Sequence, residues 1–163
     1  MAQALAANPL TESPPTTDKR IKKSSTSVEP IVLTDIYNDE CNIAIWQRHL
    51  DDTFLTSLAT FVKGGGKLTA ARQLSSDSAE AYIRTLADGQ PFAPQLHTYI
   101  AELVDMFICL FEANTIGFRL STLDKAMCPR FHVDRVSCRL VTTFVGPGSQ
   151  WLDVNLRESS GSK

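Results

Sequence analysis

The amino-acid sequence predicts an α+β fold in which N-terminal helices pack on an antiparallel sheet of the jelly-roll type, also called a double-stranded β-helix. Apolar residues follow the 3.6-residue period of helices between residues 52 and 111, and the two-residue period of strands from residue 115 onward. No helical pattern follows these late strands, which favours an antiparallel sheet over a parallel one. A chain of 163 residues is long enough for one such domain.

The first thirty residues differ in composition from the rest of the chain. They hold four of the eight prolines and no glycine, and the first aromatic residue is Tyr37. A segment with so little apolar surface cannot offset the entropy lost on ordering. We therefore predict a disordered tail over residues 1–30, a single α+β domain over 31–157 and a polar tail over 158–163.

Charge and hydropathy exclude several classes of protein. Sixteen Lys and Arg against eighteen Asp and Glu give a formal net charge of −2, whereas a general nucleic-acid surface needs a basic excess. No apolar run approaches the roughly 20 residues that span a bilayer. The N-terminus lacks the charged and apolar regions of a secretory signal. We expect a cytoplasmic protein with neither a nucleic-acid nor a membrane partner.

The first half of the chain predicts a short strand followed by a helix. The apolar run Ile31–Leu33 is short enough to enter a sheet, and Cys41–Trp46 alternates as a strand does. Asp51 and Asp52 then form an acidic N-terminus for a helix with Phe54, Leu55, Leu58, Phe61 and Val62 on its apolar face. Gly64–Gly66 ends this helix. A phosphate-binding loop is not favoured, because such glycines follow a strand rather than a helix.

The middle of the chain predicts one strand and two more helices. Leu68–Leu74 is the strand, and Asp77–Ala87 is a helix whose Asp77 and Glu80 have the spacing of a capping box. The longest helix runs from Pro94 to about Phe111. Its apolar stripe is wide enough to be buried on most sides, with Glu102 and Asp105 on the solvent edge.

Two strands and a turn are predicted after the long helix. Thr115–Leu123 and Val136–Val145 both alternate apolar and polar residues. Gly146–Gly148 then supplies the small residues and the proline that turns favour. These strands would form the antiparallel sheet.

Most cysteines and histidines have a structural interpretation. The cysteines are separated by long, irregular spacings, and the sequence shows no secretory signal. Both observations argue against a disulfide framework. Cys41, Cys109 and Cys138 lie in apolar patterns, so we expect small buried hydrophobes. His49 and His97 stand alone beside apolar runs, where a histidine is usually structural or exposed.

Chemistry concentrates between the two late strands, in the segment Cys128-Pro129-Arg130-Phe131-His132-Val133-Asp134. His132 and Asp134 are two residues apart, so in extended backbone both side chains point to the same side. An imidazole with a carboxylate suits Fe(II), Mn(II) or Zn(II). Cys128 could add a thiolate, which suits zinc. The alternative is a surface turn in which Asp134 pairs with Arg130 or Arg135.

The segment resembles two families. His132-Val133-Asp134, followed by residues 139–144 and by Gly146-Pro147-Gly148, is similar to the prolyl-hydroxylase-like iron and 2-oxoglutarate dioxygenases, over about 20 residues. The longer string from Cys128 to Asp134, with residues 139–141 and 146–152, resembles the uncharacterised domain-of-unknown-function 1826 family. That resemblance implies a link to metal supply, because bacterial members often lie near zinc-responsive and metal-chaperone genes.

The chain also departs from that second family. Its members continue past Trp151-Leu152 with another histidine and then an arginine, which would be the distal metal ligand and the 2-oxoglutarate anchor. This chain has no histidine after Trp151, and neither Arg139 nor Arg157 matches the position of that arginine. We therefore carry over His132 and Asp134 only. We expect a jelly roll that is incomplete at its C-terminal end.

Three functions stay open at this point. The first is an iron(II)- and 2-oxoglutarate-dependent oxygenase with iron on His132 and Asp134, activity lost for want of the distal ligand, and Arg139 as a candidate substrate-binding residue. The second is a zinc-binding protein of metal homeostasis that uses Cys128, His132 and Asp134. The third is a metal-free interaction module or a truncated gene product, whose unpaired sheet edges would recruit a partner or form a homodimer.

Overall fold

The computed structural model describes residues 23–125, 130–131 and 136–151. In chain order the elements are β1 (Lys23–Ser27), a 3₁₀ helix (Pro30–Tyr37), β2 (Cys41–Trp46), α1 (Asp52–Lys63), β3 (Thr69–Ser75), α2 (Ser76–Ile83), α3 (Ala93–Phe111) and β4 (Thr115–Ser121). Helices and small sheets occur together, so the predicted α+β class is confirmed.

The strands form two sheets of two strands each within the described residues. β1 pairs with β2 in parallel, and β3 pairs with β4 in antiparallel register, from Thr69 opposite Ser121 to Ser75 opposite Thr115. The β3–β4 pair joins the predicted strand before α2 to the predicted strand after α3. These two small sheets account for the strand content of the described chain.

The predicted strand Val136–Val145 is wrong, since none of its residues has strand structure. The reason lies in which part of the segment is buried. Val136 and Val141 are more than half exposed, whereas Phe144 and Val145 pack against the core. Alternation of apolar residues predicts a strand only where one face is buried along its whole length, and here burial is concentrated at one end.

Helix α1 has the boundaries that its sequence predicts. The carboxylate of Asp51 accepts a hydrogen bond from the backbone N–H of Phe54 at 2.8 Å and another from the Thr53 hydroxyl. At the other end, Gly65 has a φ of 88°, and the N–H of Gly66 bonds the carbonyl of Phe61 at 2.9 Å. The glycines therefore end a helix, as predicted.

Helix α2 is shorter than predicted and is capped differently. Ser75 and Ser78 form the capping box, with the Ser75 N–H donating to the Ser78 hydroxyl at 3.0 Å. Glu80, predicted to belong to the box with Asp77, instead pairs with Arg84 one turn later at 2.6 Å. The predicted Asp77–Glu80 box is therefore wrong, because the serine hydroxyls lie closer to the free backbone groups.

Helix α3 ends on a residue in a left-handed conformation. Glu112 has a φ of 46°, and the N–H of Ala113 bonds the carbonyl of Ile108 at 3.0 Å, which is the bonding pattern of a Schellman end. All the buried residues of α3 lie between its start and Val104, among them Leu96, Ile100 and Leu103. The part of α3 after Val104 is less buried than predicted, and Cys109 is exposed rather than buried.

One hydrophobic core joins α1, β3, α2 and α3. Its fully enclosed side chains are those of Phe54, Leu74, Ile83, Phe92 and Leu96. Side chains of β4 pack on it from the sheet, and the ring of Phe144 adds to it from the C-terminal segment. The core therefore holds together parts of the chain that are distant in sequence.

The N-terminal elements lie outside this core. β1 begins at Lys23, and Ile31–Leu33 belongs to the 3₁₀ helix rather than to a sheet, so that prediction is wrong. The Tyr37 hydroxyl donates to the carbonyl of Leu110, which attaches the 3₁₀ helix to α3. Residues 1–22 of the predicted tail lie outside the described residues. Within the described part of the chain, no helix is long and apolar enough to cross a membrane.

Candidate functional site

The three predicted metal ligands, Cys128, His132 and Asp134, lie outside the described residues. Their neighbours Arg130 and Phe131 are described, and both are exposed. The structure therefore bears on this segment through the two points at which the chain on either side of it joins the core. We call the stretch between Asp124 and Phe144 the ligand loop.

The ligand loop leaves the core at the end of β4. The backbone N–H of Thr122 donates to the Leu68 carbonyl at 2.8 Å, and the Leu68 N–H donates to the Thr122 hydroxyl at 2.9 Å. Lys67 lies 3.7 Å from the carboxylate of Asp124, an exposed pair that adds little stability. The reciprocal bonds between Leu68 and Thr122 fix the position at which the loop starts.

The ligand loop returns to the core at Phe144. Its ring meets that of Phe54 edge to face, with centroids 5.7 Å apart, and lies 6.5 Å from the ring of Tyr99. Phe54 is almost completely enclosed within the core, so this contact attaches the C-terminal segment to the centre of the molecule. Both ends of the loop thus rest on the same scaffold, which is the usual setting for functional residues on loops.

Two other predicted residues lie within the described part of the loop. Arg139 is exposed, and its own backbone N–H donates a hydrogen bond to the Cys138 sulfur. Burial raises the pKa of the Cys138 thiol, and the bond from Arg139 opposes this rise only partly. A raised pKa keeps the sulfur protonated, so Cys138 is a poorer metal ligand than an exposed cysteine would be. Across residues 23–125, 130–131 and 136–151, no three His, Cys, Asp or Glu side chains are grouped as a metal site would require.

The two isolated histidines have different surroundings. His97 is partly buried, and its Nε2 lies 2.6 Å from the carbonyl of Leu86, so α3 is joined to the turn after α2. His49 is exposed and lies two residues before Asp51, whose pKa is lowered. The main causes of that lowering are the hydrogen bonds that the Asp51 carboxylate accepts from the Thr53 hydroxyl and the Phe54 N–H.

A second feature, which the sequence did not reveal, is a cleft of about 340 Å³ at the end of β2. Arg48 lines this cleft with only 9% of its side chain exposed, and its Nη1 lies 3.1 Å from Oε2 of Glu102 on α3. The only available signal is the spacing of Trp46 and Arg48, which places both on one side of an extended chain. We call this feature the Arg48 cleft.

Comparison with known families gives one result that covers most of the chain. A family model described as a protein of unknown function (DUF1826) matches residues 27–162. This range includes β2, the three helices and the whole ligand loop. The search of curated proteins found no match, and neither did the search of solved structures.

Proposed function

Starting from the fact that the chain belongs to the DUF1826 family of unknown function, we propose that it binds a divalent transition-metal ion through Cys128, His132 and Asp134. The observation that carries the proposal is the donor set in this string, which lies inside the family match. The seven consecutive residues 128–134 supply a thiolate, an imidazole and a carboxylate. Cys138 is a second thiol at a similar distance from His132 and Asp134 in the sequence.

The donor set fits zinc well. Zinc accepts cysteine sulfur, histidine nitrogen and carboxylate oxygen, and three protein ligands leave one position for water or a substrate. Pro129 removes a backbone donor and restricts the chain beside Cys128. The nearest described cysteine, Cys138, is partly buried, and burial raises the pKa of its thiol, which disfavours a thiolate at Cys138.

The attachment of the ligand loop supports the same proposal. Thr122 fixes the start of the loop through two hydrogen bonds with Leu68, and Phe144 fixes its end against Phe54. A loop closed at both ends has less conformational freedom to lose when its ligands gather around an ion. The fold therefore lowers the entropy cost of forming a site there.

An iron centre of the dioxygenase type is the second candidate, favoured by the spacing of His132 and Asp134. Such centres use two histidines and one carboxylate, so a further imidazole would have to join this pair. When bound, iron with 2-oxoglutarate supplies oxidising chemistry, while the chain holds the ion and the substrate. A jelly-roll completion of the small sheets and a substrate role for Arg139 belong to this candidate.

Cobalt substitution separates the two candidates. Co(II) replaces zinc with little change in geometry, and a cysteine ligand adds an intense sulfur-to-metal charge-transfer band to its spectrum. We expect this band in the wild type and its loss in Cys128→Ala, while Cys138→Ala keeps it. Co(II) binding without the band, together with anaerobic Fe(II) binding unchanged in Cys128→Ala, would favour the iron candidate and overturn the thiolate assignment.

A further inference from the structure

The guanidinium of Arg48 is only half satisfied. Nη1 pairs with Glu102, but Nη2 has less than 1 Å² of accessible surface and no hydrogen-bond partner among the described residues. It is the sole buried side-chain nitrogen or oxygen left without a partner in the described part of the chain. Buried donors are nearly always bonded, so an exception beside a cleft calls for an acceptor that completes it.

The groups around Arg48 are held in place by their own hydrogen bonds. Its guanidinium carbon lies 5.2 Å from the ring centre of Trp46 and 5.7 Å from that of Tyr99, both within cation–π range. The Trp46 indole donates to the carbonyl of Val28 at 2.9 Å, and the Tyr99 hydroxyl accepts from the N–H of Asp51 at 3.1 Å. The aromatic rings therefore orient the guanidinium before any ligand arrives.

Glu102 indicates which acceptor fits. It already places a carboxylate oxygen on one nitrogen of the guanidinium, yet 44% of its side chain is exposed, so it can turn outward into solvent. Outward rotation of Glu102 would open the forked edge of Arg48, which matches the two oxygens of a carboxylate. Val28, Leu50 and the two aromatic rings supply apolar walls. The cleft volume of about 340 Å³ is within the range for small ligands.

We propose that the Arg48 cleft binds a small carboxylate with an apolar body, which displaces Glu102 from the guanidinium. Besides Arg48, the charged or titratable residues that line the cleft are Glu102, His49 and Tyr99. Glu102 acts as an internal competitor, so removal of its charge strengthens binding. The inference does not depend on the metal site, which lies on a different part of the chain.

Benzoate is a suitable probe, with benzamide as its neutral counterpart of the same shape. The full-length chain is first stripped of metal on a chelating resin, so that no carboxylate chelator is present. Titration followed by NMR through the indole N–H signal of Trp46 then measures binding without any metal. We expect benzoate to shift that signal saturably. Benzamide should bind at least about tenfold more weakly, because charge-assisted hydrogen bonds are roughly twice as strong as neutral ones. Equal binding of the two would contradict recognition of a carboxylate.

Three variants complete the test. Arg48→Gln should weaken benzoate binding by about tenfold or more, while Arg84→Gln, which removes an exposed arginine that also pairs with a glutamate, should leave it unchanged. Glu102→Gln should tighten binding by about threefold to tenfold. If Arg48→Gln does not fold, Glu102→Gln still decides the matter. Binding that is unchanged or weaker in Glu102→Gln, or retained in folded Arg48→Gln, would overturn the proposal.

Discussion

Replacement of Phe144 by alanine should destabilise the whole domain, although Phe144 lies in a segment without helix or strand. Its ring contacts Phe54 at 5.7 Å and Tyr99 at 6.5 Å between centroids. These contacts attach the C-terminal end of the ligand loop to α1 and α3. The variant therefore tests whether the loop is closed on the core, the closure that would lower the entropy cost of the proposed metal site.

The expected loss follows from burial and ring contacts. Complete burial of a phenylalanine contributes about 1.5–3 kcal/mol, and Phe144 is partly buried, so roughly half of that applies. Each favourable aromatic pair adds about 0.5–1.5 kcal/mol. We expect Phe144→Ala to lower the free energy of unfolding by about 2–4 kcal/mol, somewhat less than the 3–5 kcal/mol typical of a fully buried phenylalanine.

Urea denaturation of Phe144→Ala measures this loss, with Val141→Ala as the matched control. Val141 lies in the same segment but is 58% exposed, so its truncation should change the free energy of unfolding by less than about 0.5 kcal/mol. A double-mutant cycle with Phe54→Leu should give a coupling energy of about 1 kcal/mol for the ring pair. If Phe144→Ala is as stable as Val141→Ala, the loop is not anchored at Phe144 and the reasoning fails.

Three further predictions concern helix ends and the partly buried histidine. The hydrogen bond from Thr53 lowers the pKa of the Asp51 carboxyl that caps α1. The stability that this charged cap contributes is therefore present above the ordinary carboxyl pKa and is lost as the pH falls through the lowered pKa of Asp51. Thermal melts should show that the wild type is more stable than Asp51→Asn at neutral pH and loses this advantage only in acid. His97→Ala should cost about 1 kcal/mol in urea denaturation through the lost bond to the Leu86 carbonyl, and it should leave zinc affinity unchanged in calorimetry. Glu112→Gly should raise the melting temperature, because glycine adopts a positive φ without strain. The expected gain in the free energy of unfolding is up to about 1 kcal/mol. A shift in the opposite direction in any of these melts or titrations would contradict the corresponding contact.

Local sequence signals predicted the helices because the forces that form them act within a few residues. The Asp51 cap and the Gly64–Gly66 end lie within a turn of α1, and the apolar stripe of α3 is continuous in sequence. The error at α2 has a local cause as well. Ser75 and Ser78 offer short hydroxyls to the free backbone groups, and these take precedence over the longer side chain of Glu80.

Features that depend on distant partners were not predictable in the same way. The parallel pairing of β1 with β2 and the irregular course of residues 136–145 follow from what each segment meets in the folded chain. The Arg48 cleft exists because Glu102 reaches Arg48 across 54 residues of sequence. In contrast, the string from Cys128 to Asp134 is visible in the sequence, because the proposed metal chemistry depends on residue type and short spacing.

The most direct test of the proposed metal site is the metal stoichiometry of the full-length chain after equilibrium dialysis against Zn(II), with a parallel anaerobic dialysis against Fe(II). We expect one tightly held ion per chain in the wild type and none in His132→Ala or Asp134→Ala, because two donors hold a divalent ion weakly. His97→Ala should keep the ion and serves as the matched histidine control. An ion that persists in His132→Ala but is lost in His97→Ala, or no ion in the wild type with either metal, would contradict the assignment.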